Sequence, residues 1–154
     1  MKAVSAGVYS DCGLDPTGQI KCWGSSKNVA TKSPVGAGFT AVGAGYLAGC
    51  ALDASGKLKC WGDSWLNAAA LPQKTFAKLF VHRVVGCALD ASGLATCWTG
   101  PSDANYKKIV SLAPKTTALS AVGIGYAHAC GIKKSGGLVC WGSAPEIVAP
   151  VSIP

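Results

Sequence analysis

Apolar and polar positions along this chain keep no helical period. They return instead in four blocks of similar wording, Ala3 to Gly24, Ala41 to Gly62, Lys78 to Gly100 and Ala121 to Gly142. In each block a run of small and apolar residues leads to a cysteine, a Leu or Ile stands two positions on, a polar segment intervenes, and a second run ends in Cys-Trp. Short apolar runs bounded by turn-forming residues read as strands. The first cysteines of the blocks, Cys12, Cys50, Cys87 and Cys130, lie 38, 37 and 43 residues apart. Such a period marks one supersecondary unit used four times, and a unit of about 40 residues built from short strands has the size of a propeller blade.

The turn inside each block can be placed from its chemistry. Leu14 and Ile20, Leu52 and Leu58, Leu89 and Ala95, and Ile132 and Leu138 flank the loops Pro16-Thr17-Gly18, Ala54-Ser55-Gly56, Ala91-Ser92-Gly93 and Lys134-Ser135-Gly136. A three-residue hairpin loop is a type I turn followed by one left-handed residue, a conformation that glycine takes without steric cost. Asp15, Asp53 and Asp90 precede three of these loops, where a carboxylate accepts hydrogen bonds from the turn backbone. A metal role would need partner ligands that lone hairpin-tip carboxylates lack.

That register decides what the cysteines do. The two in each block are ten apart and symmetric about the turn, so they face each other on adjacent strands at roughly 4.5 to 5.5 Å, a separation that a disulfide accepts. The predicted bridges are Cys12–Cys22, Cys50–Cys60, Cys87–Cys97 and Cys130–Cys140. Zinc is a poorer reading, because no Cys-x-x-Cys pair occurs to let four sulfurs converge. Reduced, buried cysteines remain an alternative, as does a redox-active pair, the latter weakened by four equivalent copies each followed by Trp.

Those rings, Trp23, Trp61, Trp98 and Trp141, recur in register, which marks them as packing between neighbouring sheets and not as sugar platforms. Gly13, Ala51, Ala88 and Gly131 follow the first cysteines, where a small side chain lets a neighbouring blade approach. The blocks resemble the repeat of the RCC1 superfamily of β-propellers, V-x-x-G-x-x-H-x-C-A-L-x-x-x-G-x-V-x-C-W-G. The fourth is the best match, through Val122, Gly125, His128, Cys130, Gly136, Val139, Cys140, Trp141 and Gly142. The resemblance is to the cysteine-paired bacterial form and extends to the propeller β-lactamase inhibitor proteins. The family's usual N-x-x-G-Q-L-G after W-G is missing at residues 25–28, 63–66 and 101–104.

What the resemblance implies is an all-β fold, a β-propeller of four RCC1-like blades of antiparallel strands forming one domain over residues 1–154. The apolar residues of the segment 145–154, Ile147, Val148, Val151 and Ile153, are expected to form a strand that completes the first blade and closes the ring. Half of an eight-bladed dimeric ring is the alternative, since twofold pairing of four blades gives eight and not the family's more usual seven. A fragment of a longer protein is the third arrangement. Members of the superfamily include a secreted inhibitor, lectin-like proteins and signalling scaffolds, and no exchange-factor contact residue maps onto a position here.

Composition sharpens this picture only a little. Hydrophobic residues make up 49% of the 154 and charged residues 14%, enough apolar material for a packed core. The net charge of +7 is scattered, with lysine doublets only at Lys107-Lys108 and Lys133-Lys134. That argues against a nucleic-acid partner and leaves acidic proteins or cell-surface glycans. No run of eighteen apolar residues occurs, so no membrane-spanning helix is expected. The paired cysteines point to a secreted, periplasmic or extracellular location. Met1 to Ser5 lack the apolar core of a secretory signal, so residue 1 is expected to be a mature or engineered start.

Function is expected in residues outside the repeat, because propellers mount variable loops on a rigid frame. Trp65 with Asp63 and Asn67 could stack on and bond to a ligand. Tyr106, Lys107 and Lys108 in the longest linker suit an acidic partner. His82 and His128 occupy different repeat positions without a third ligand, a poor metal pair. No matched acid, base or nucleophile set is evident, so neither enzyme activity nor a cofactor is expected. The reading is a non-enzymatic secreted module that engages a protein or cell-surface partner through its loops. A glycan-binding lectin and a structural or assembly subunit, which could pair as a homodimer, are the alternatives. A lectin would repeat aromatic and polar residues at one blade position, and beyond the packing Trp the sequence reading finds none.

Overall fold

The computed structural model describes residues 1–62, 71–100 and 104–143. Each block folds as a three-stranded antiparallel sheet of consecutive strands: β1 (Ala3–Ala6), β2 (Ser10–Leu14) and β3 (Ile20–Gly24); β4 (Ala41–Ala44), β5 (Ala48–Leu52) and β6 (Leu58–Gly62); β7 (Lys78–His82), β8 (Val85–Leu89) and β9 (Ala95–Thr99); β10 (Leu119–Ile124), β11 (His128–Lys133) and β12 (Leu138–Gly142). Two short helices stand between blades, α1 (Lys27–Thr31) and α2 (Ala104–Ser111). Neither helix is expected from the strand-and-turn pattern of the sequence. The expected closing strand, residues 145–154, lies outside the described residues.

The hairpins form as their turn chemistry dictates. Gly18, Gly56, Gly93 and Gly136 have φ of 84°, 78°, 93° and 89°, the left-handed conformation that suits the third loop position. Oδ1 of Asp53 accepts from the amides of Ser55 (2.9 Å) and Lys57 (3.0 Å) and from the Ser55 hydroxyl (2.6 Å). Asp15 does the same with Thr17 and Gln19, and Asp90 with Ser92 and Leu94. The fourth blade carries Lys133 at this position.

These bonds favour the ionised carboxylate, so all three aspartates titrate below their ordinary value, led in each case by the neighbouring hydroxyl. Because the folded carboxyls sit below the unfolded value of about 3.9, their stabilisation is complete above that pH and is lost as pH falls through the lowered values. Thermal melts should therefore show an acid limb that sets in near pH 5 and steepens as pH falls through the carboxylate range. The triple change of Asp15, Asp53 and Asp90 to Asn should flatten the acid limb, and an unaltered limb would refute the assignment.

Turn placement sets the cysteine register, with Cys12, Cys50, Cys87 and Cys130 opposite Cys22, Cys60, Cys97 and Cys140. All four pairs are disulfides with Cα–Cα distances of 4.0–4.1 Å, and no cysteine is free. The zinc and reduced-thiol readings are thereby set aside.

The blades stack through one recurring junction. β1, β4, β7 and β10 are the inner strands, each touching the next. The rear face of each blade presents its first cysteine and the Leu two residues on, and the following blade lays its Trp and small residues over them. Cys12 and Leu14 pack with Trp61 and Ala51, Cys50 and Leu52 with Trp98 and Ala88, and Cys87 and Leu89 with Trp141 and Ala129. The Trp lies flat because its cross-strand partner is small. Gly49 faces Trp61 and Gly86 faces Trp98, and a Cβ at either glycine would run into the indole.

The helices complete two of these junctions. Trp61 Nε1 donates to the Val29 carbonyl of α1 (3.0 Å), and Trp141 Nε1 to the Ile109 carbonyl of α2 (2.9 Å). Both acceptors lie 32 residues before their Trp. A buried indole N–H needs such a partner, so the linkers act as caps on the tryptophans.

Backbone bonds lock each joint. Phe39, Phe76 and Leu119, just ahead of or at the start of an inner strand, donate their amides to the carbonyls of Gly18, Gly56 and Gly93 at 3.1, 2.8 and 2.8 Å. Among the described residues two side chains depart from the pattern. Trp23 on the front of the first blade is 46% exposed, whereas the other three repeat tryptophans are at most 9%. Ile132 on the rear of the fourth blade is 48% exposed, whereas Leu14, Leu52 and Leu89 are at most 1%.

Candidate functional site

The turns that join each inner strand to the next strand gather on one face. Tyr46 and Tyr126 each follow the glycine just past an inner strand, Arg83 holds the same register position in the third blade, and Tyr9 lies one residue further on in the first. Cross-blade bonds fix these turns: the Val8 amide donates to the Gly45 carbonyl (3.1 Å) and the Tyr46 amide to the Arg83 carbonyl (2.8 Å).

The side chains form one continuous row. Tyr9 and Tyr46 meet edge-to-face with centroids 5.0 Å apart, their hydroxyls 3.5 Å from each other. Arg83 places its guanidinium carbon 5.8 Å from the Tyr46 ring centre and 5.7 Å from that of Tyr126. Tyr126 in turn meets Tyr106 of α2 at 5.5 Å. A guanidinium held against two aromatic rings is attracted by both quadrupoles and loses little further freedom when a ligand arrives. Hydrogen bonding and the nearby charge of Tyr9 push the Tyr46 phenol up, while Arg83 pulls in the opposite direction.

Tyr9 and Tyr126 are exposed, and so is their neighbour Val8. Beneath the row the inner strands line an open cavity of about 320 Å³, walled by Val4, Val42, Phe80, Val81, Val122 and Ile124, among others, with His82 at its edge. Partial burial, and then the charge of Arg83, hold His82 below its ordinary value, so it is neutral at pH 7. The described residues contain no cluster of three or more His, Cys, Asp or Glu able to hold a metal. No described helix is long and apolar enough to cross a membrane.

Of the residues singled out from sequence, Asp63, Trp65 and Asn67 lie outside the described residues. Lys107 and Lys108 are exposed on α2. Tyr106 departs from its expected role: it is 5% exposed and packed with Val85, Ile109 and Trp141. It is a core residue that props Tyr126 from behind, because α2 turns it inward. The row itself is absent from the sequence-based expectations, although Tyr46, Arg83 and Tyr126 share one repeat position. An aromatic other than Trp thus recurs in register at Tyr46 and Tyr126, where the repeats suggested none.

The fold and site define a class: a disulfide-bonded β-propeller array with an aromatic and cationic loop face and a shallow axial cavity. Comparison then gives the repeat its name. Residues 39–64, which enclose the second blade, match the Regulator of chromosome condensation (RCC1) repeat. No curated protein matches the chain.

Among solved structures, the ectodomain of the Physcomitrella patens receptor kinase CR4 is 26% identical, with a TM-score of 0.75 over 90% of this chain and 40% of its own. The CRINKLY WD40 ectodomain of the Arabidopsis thaliana receptor kinase ACR4 is 26% identical, with a TM-score of 0.73 over 91% of this chain and 55% of its own. Prp20p from Saccharomyces cerevisiae, described together with its binding to Gsp1p and histones, shares the fold at 14% identity, with a TM-score of 0.68 over 92% of this chain and 44% of its own. The second blade thus matches the RCC1 repeat, the chain as a whole is similar in fold to RCC1-type β-propellers, and it spans 40 to 55% of the length of these structures.

Proposed function

We propose that this chain is a non-enzymatic, secreted binding module whose loop face engages an acidic protein partner. The observation that carries the reading is the row Tyr9, Tyr46, Arg83 and Tyr126, one contribution from each blade, held by cross-blade bonds. Tyrosine and arginine are the residue types that dominate protein interfaces, since they cover large areas at small entropic cost. The ectodomains among its structural neighbours and the four disulfides support an extracellular setting. Lys107 and Lys108, and Trp65 with Asp63 and Asn67, are proposed as further contacts. A glycan ligand is the second reading, favoured by the repetition of Tyr46 and Tyr126 at one blade position.

A photoreactive residue at Val8 would trap the partner from extracellular material, and a purified partner would then be titrated. Arg83→Ala and Tyr126→Ala should each weaken binding about tenfold or more, the effect of losing roughly 1.4 kcal/mol or more at an interface hot spot. Their melting curves should stay close to that of the unaltered protein. Equal affinity of both variants would reject the face. Retention on an immobilised glycan that disappears with the same two changes would transfer the site to the lectin reading.

A further inference from the structure

Of the 14 Lys and Arg side chains, Arg83 is the sole arginine. It lies on the turn between β7 and β8, beside the paired His82 and Val85, in a blade with a described neighbour on each side. Lys59 and Lys74 each lie over one ring, but both also pair with a carboxylate, Asp53 and Asp90. Arg83 lies against two rings, those of Tyr46 and Tyr126, and among the described residues no carboxylate meets it. Rings beside a guanidinium hold its plane and leave N–H donors to take a carboxylate through two parallel hydrogen bonds, a geometry that lysine lacks.

The backbone presents this side chain under strain. Arg83 has φ of 50° and is the one non-glycine among the described residues with a positive φ. Glycine takes that conformation freely, whereas a long side chain does not, and residues held in such regions cluster where a ligand is gripped. The cross-blade bond from the Tyr46 amide ends on the Arg83 carbonyl, which glycine would supply equally well. Joint geometry therefore accounts for the turn and not for its side chain.

We infer that Arg83 is the carboxylate-recognising residue of the loop face, and that its ligand is an acidic side chain of a polypeptide with apolar residues on either side. The guanidinium takes the carboxylate, and the flanking apolar side chains lie on Tyr46 and Tyr126. This inference rests on the binding face proposed above and narrows it to one residue and one chemical group. An extended peptide carries every second side chain on one side, about 6.7 Å apart, close to the 5.8 and 5.7 Å between the guanidinium and the two ring centres. With the adjoining His82 neutral at pH 7, the turn offers a single positive charge, which matches a carboxylate better than a doubly charged phosphate.

Isotope-labelled, oxidised protein titrated with the peptide acetyl-Leu-Ser-Glu-Ser-Leu-amide, and with the same peptide carrying Gln in place of Glu, tests it through amide chemical shifts. The Glu peptide should move the Arg83 and Tyr126 signals and bind about tenfold more tightly than the Gln peptide. Arg83→Lys should lose about tenfold for the Glu peptide although the charge is kept. Arg83→Gly should abolish the preference for Glu without lowering the melting midpoint. No shift with either peptide, equal binding of the two, a Lys variant that binds like the native protein, or tighter binding of inorganic sulfate would each overturn the inference. A lowered midpoint for Arg83→Gly would overturn it too, by showing that the arginine serves as a joint between Tyr46 and Tyr126. If the peptides fail while a purified partner still loses affinity for Arg83→Ala, the carboxylate inference falls and the binding face stands; if that partner is also indifferent, both fall.

Discussion

Full reduction of the four cystines is expected to abolish cooperative unfolding at ordinary temperature. Each bridge closes a short loop, with its cysteines ten residues apart, and loop-closure entropy assigns such a bridge roughly 2 to 3 kcal/mol. The four loops do not overlap along the chain, so their contributions combine to roughly 8 to 12 kcal/mol. A domain of this size has a net stability of about 5 to 15 kcal/mol, so little would be left. The check is a thermal melt followed by far-UV circular dichroism with and without a strong reductant, alongside a thiol count. Eight free thiols with an unchanged melt would show that blade packing alone holds the fold. The bridges should not reduce together, either. Cys12, Cys50 and Cys87 are fully buried under the next blade, whereas Cys130 is only half-buried, so Cys130–Cys140 should open first in a mild titration.

The second large effect is a contrast between two copies of one residue. Trp141→Ala should destabilise the chain by about 3 to 5 kcal/mol, the usual range for emptying a buried aromatic site. It also leaves the Ile109 carbonyl of α2 without its indole donor. Trp23→Ala, at the same repeat position but nearly half exposed, should cost the isolated chain less than about 1 kcal/mol, as surface changes do. Urea denaturation of both variants at concentrations where the protein is monomeric measures the difference. Equal losses would mean that Trp23 is covered in solution within one chain, contrary to the faces described here.

That contrast shows what was legible in the sequence and what was not. The hairpin register was readable because a left-handed glycine and ten-residue cysteine spacing are local constraints, satisfied within one blade. The general role of the tryptophans was readable from their recurrence. The exposure of Trp23 was not, because it depends on the presence or absence of a neighbour and not on the repeat.

The helices escaped for a different reason. α1 spans only Lys27–Thr31, too short to show a period, and Ser26 at its N-cap, which makes no side-chain cap bond, is a weak start signal among several loop serines. Its formation rests on packing, with Val29 buried beneath Trp61. The tyrosine and arginine row joins residues 37 to 43 positions apart, and only the stacking of blades brings them together. Recurrence at one position was the clue available for Tyr46 and Tyr126, but Val8 and Arg83 break the motif there.

Every ladder among the described residues joins strands that are neighbours in the chain. No paired residues within a sheet are separated by more than the length of one hairpin, as the register from Ala3 to Leu14 illustrates. Sheet proteins usually fold slowly because distant segments must find one another. Here each hairpin can pair within its own short segment, and in an oxidising compartment its disulfide can then hold that pairing before the blades stack. Strand pairing within a blade would then precede the stacking of blades on one another, so in refolding of the oxidised protein the sheet signal should recover before the junction tryptophans are buried.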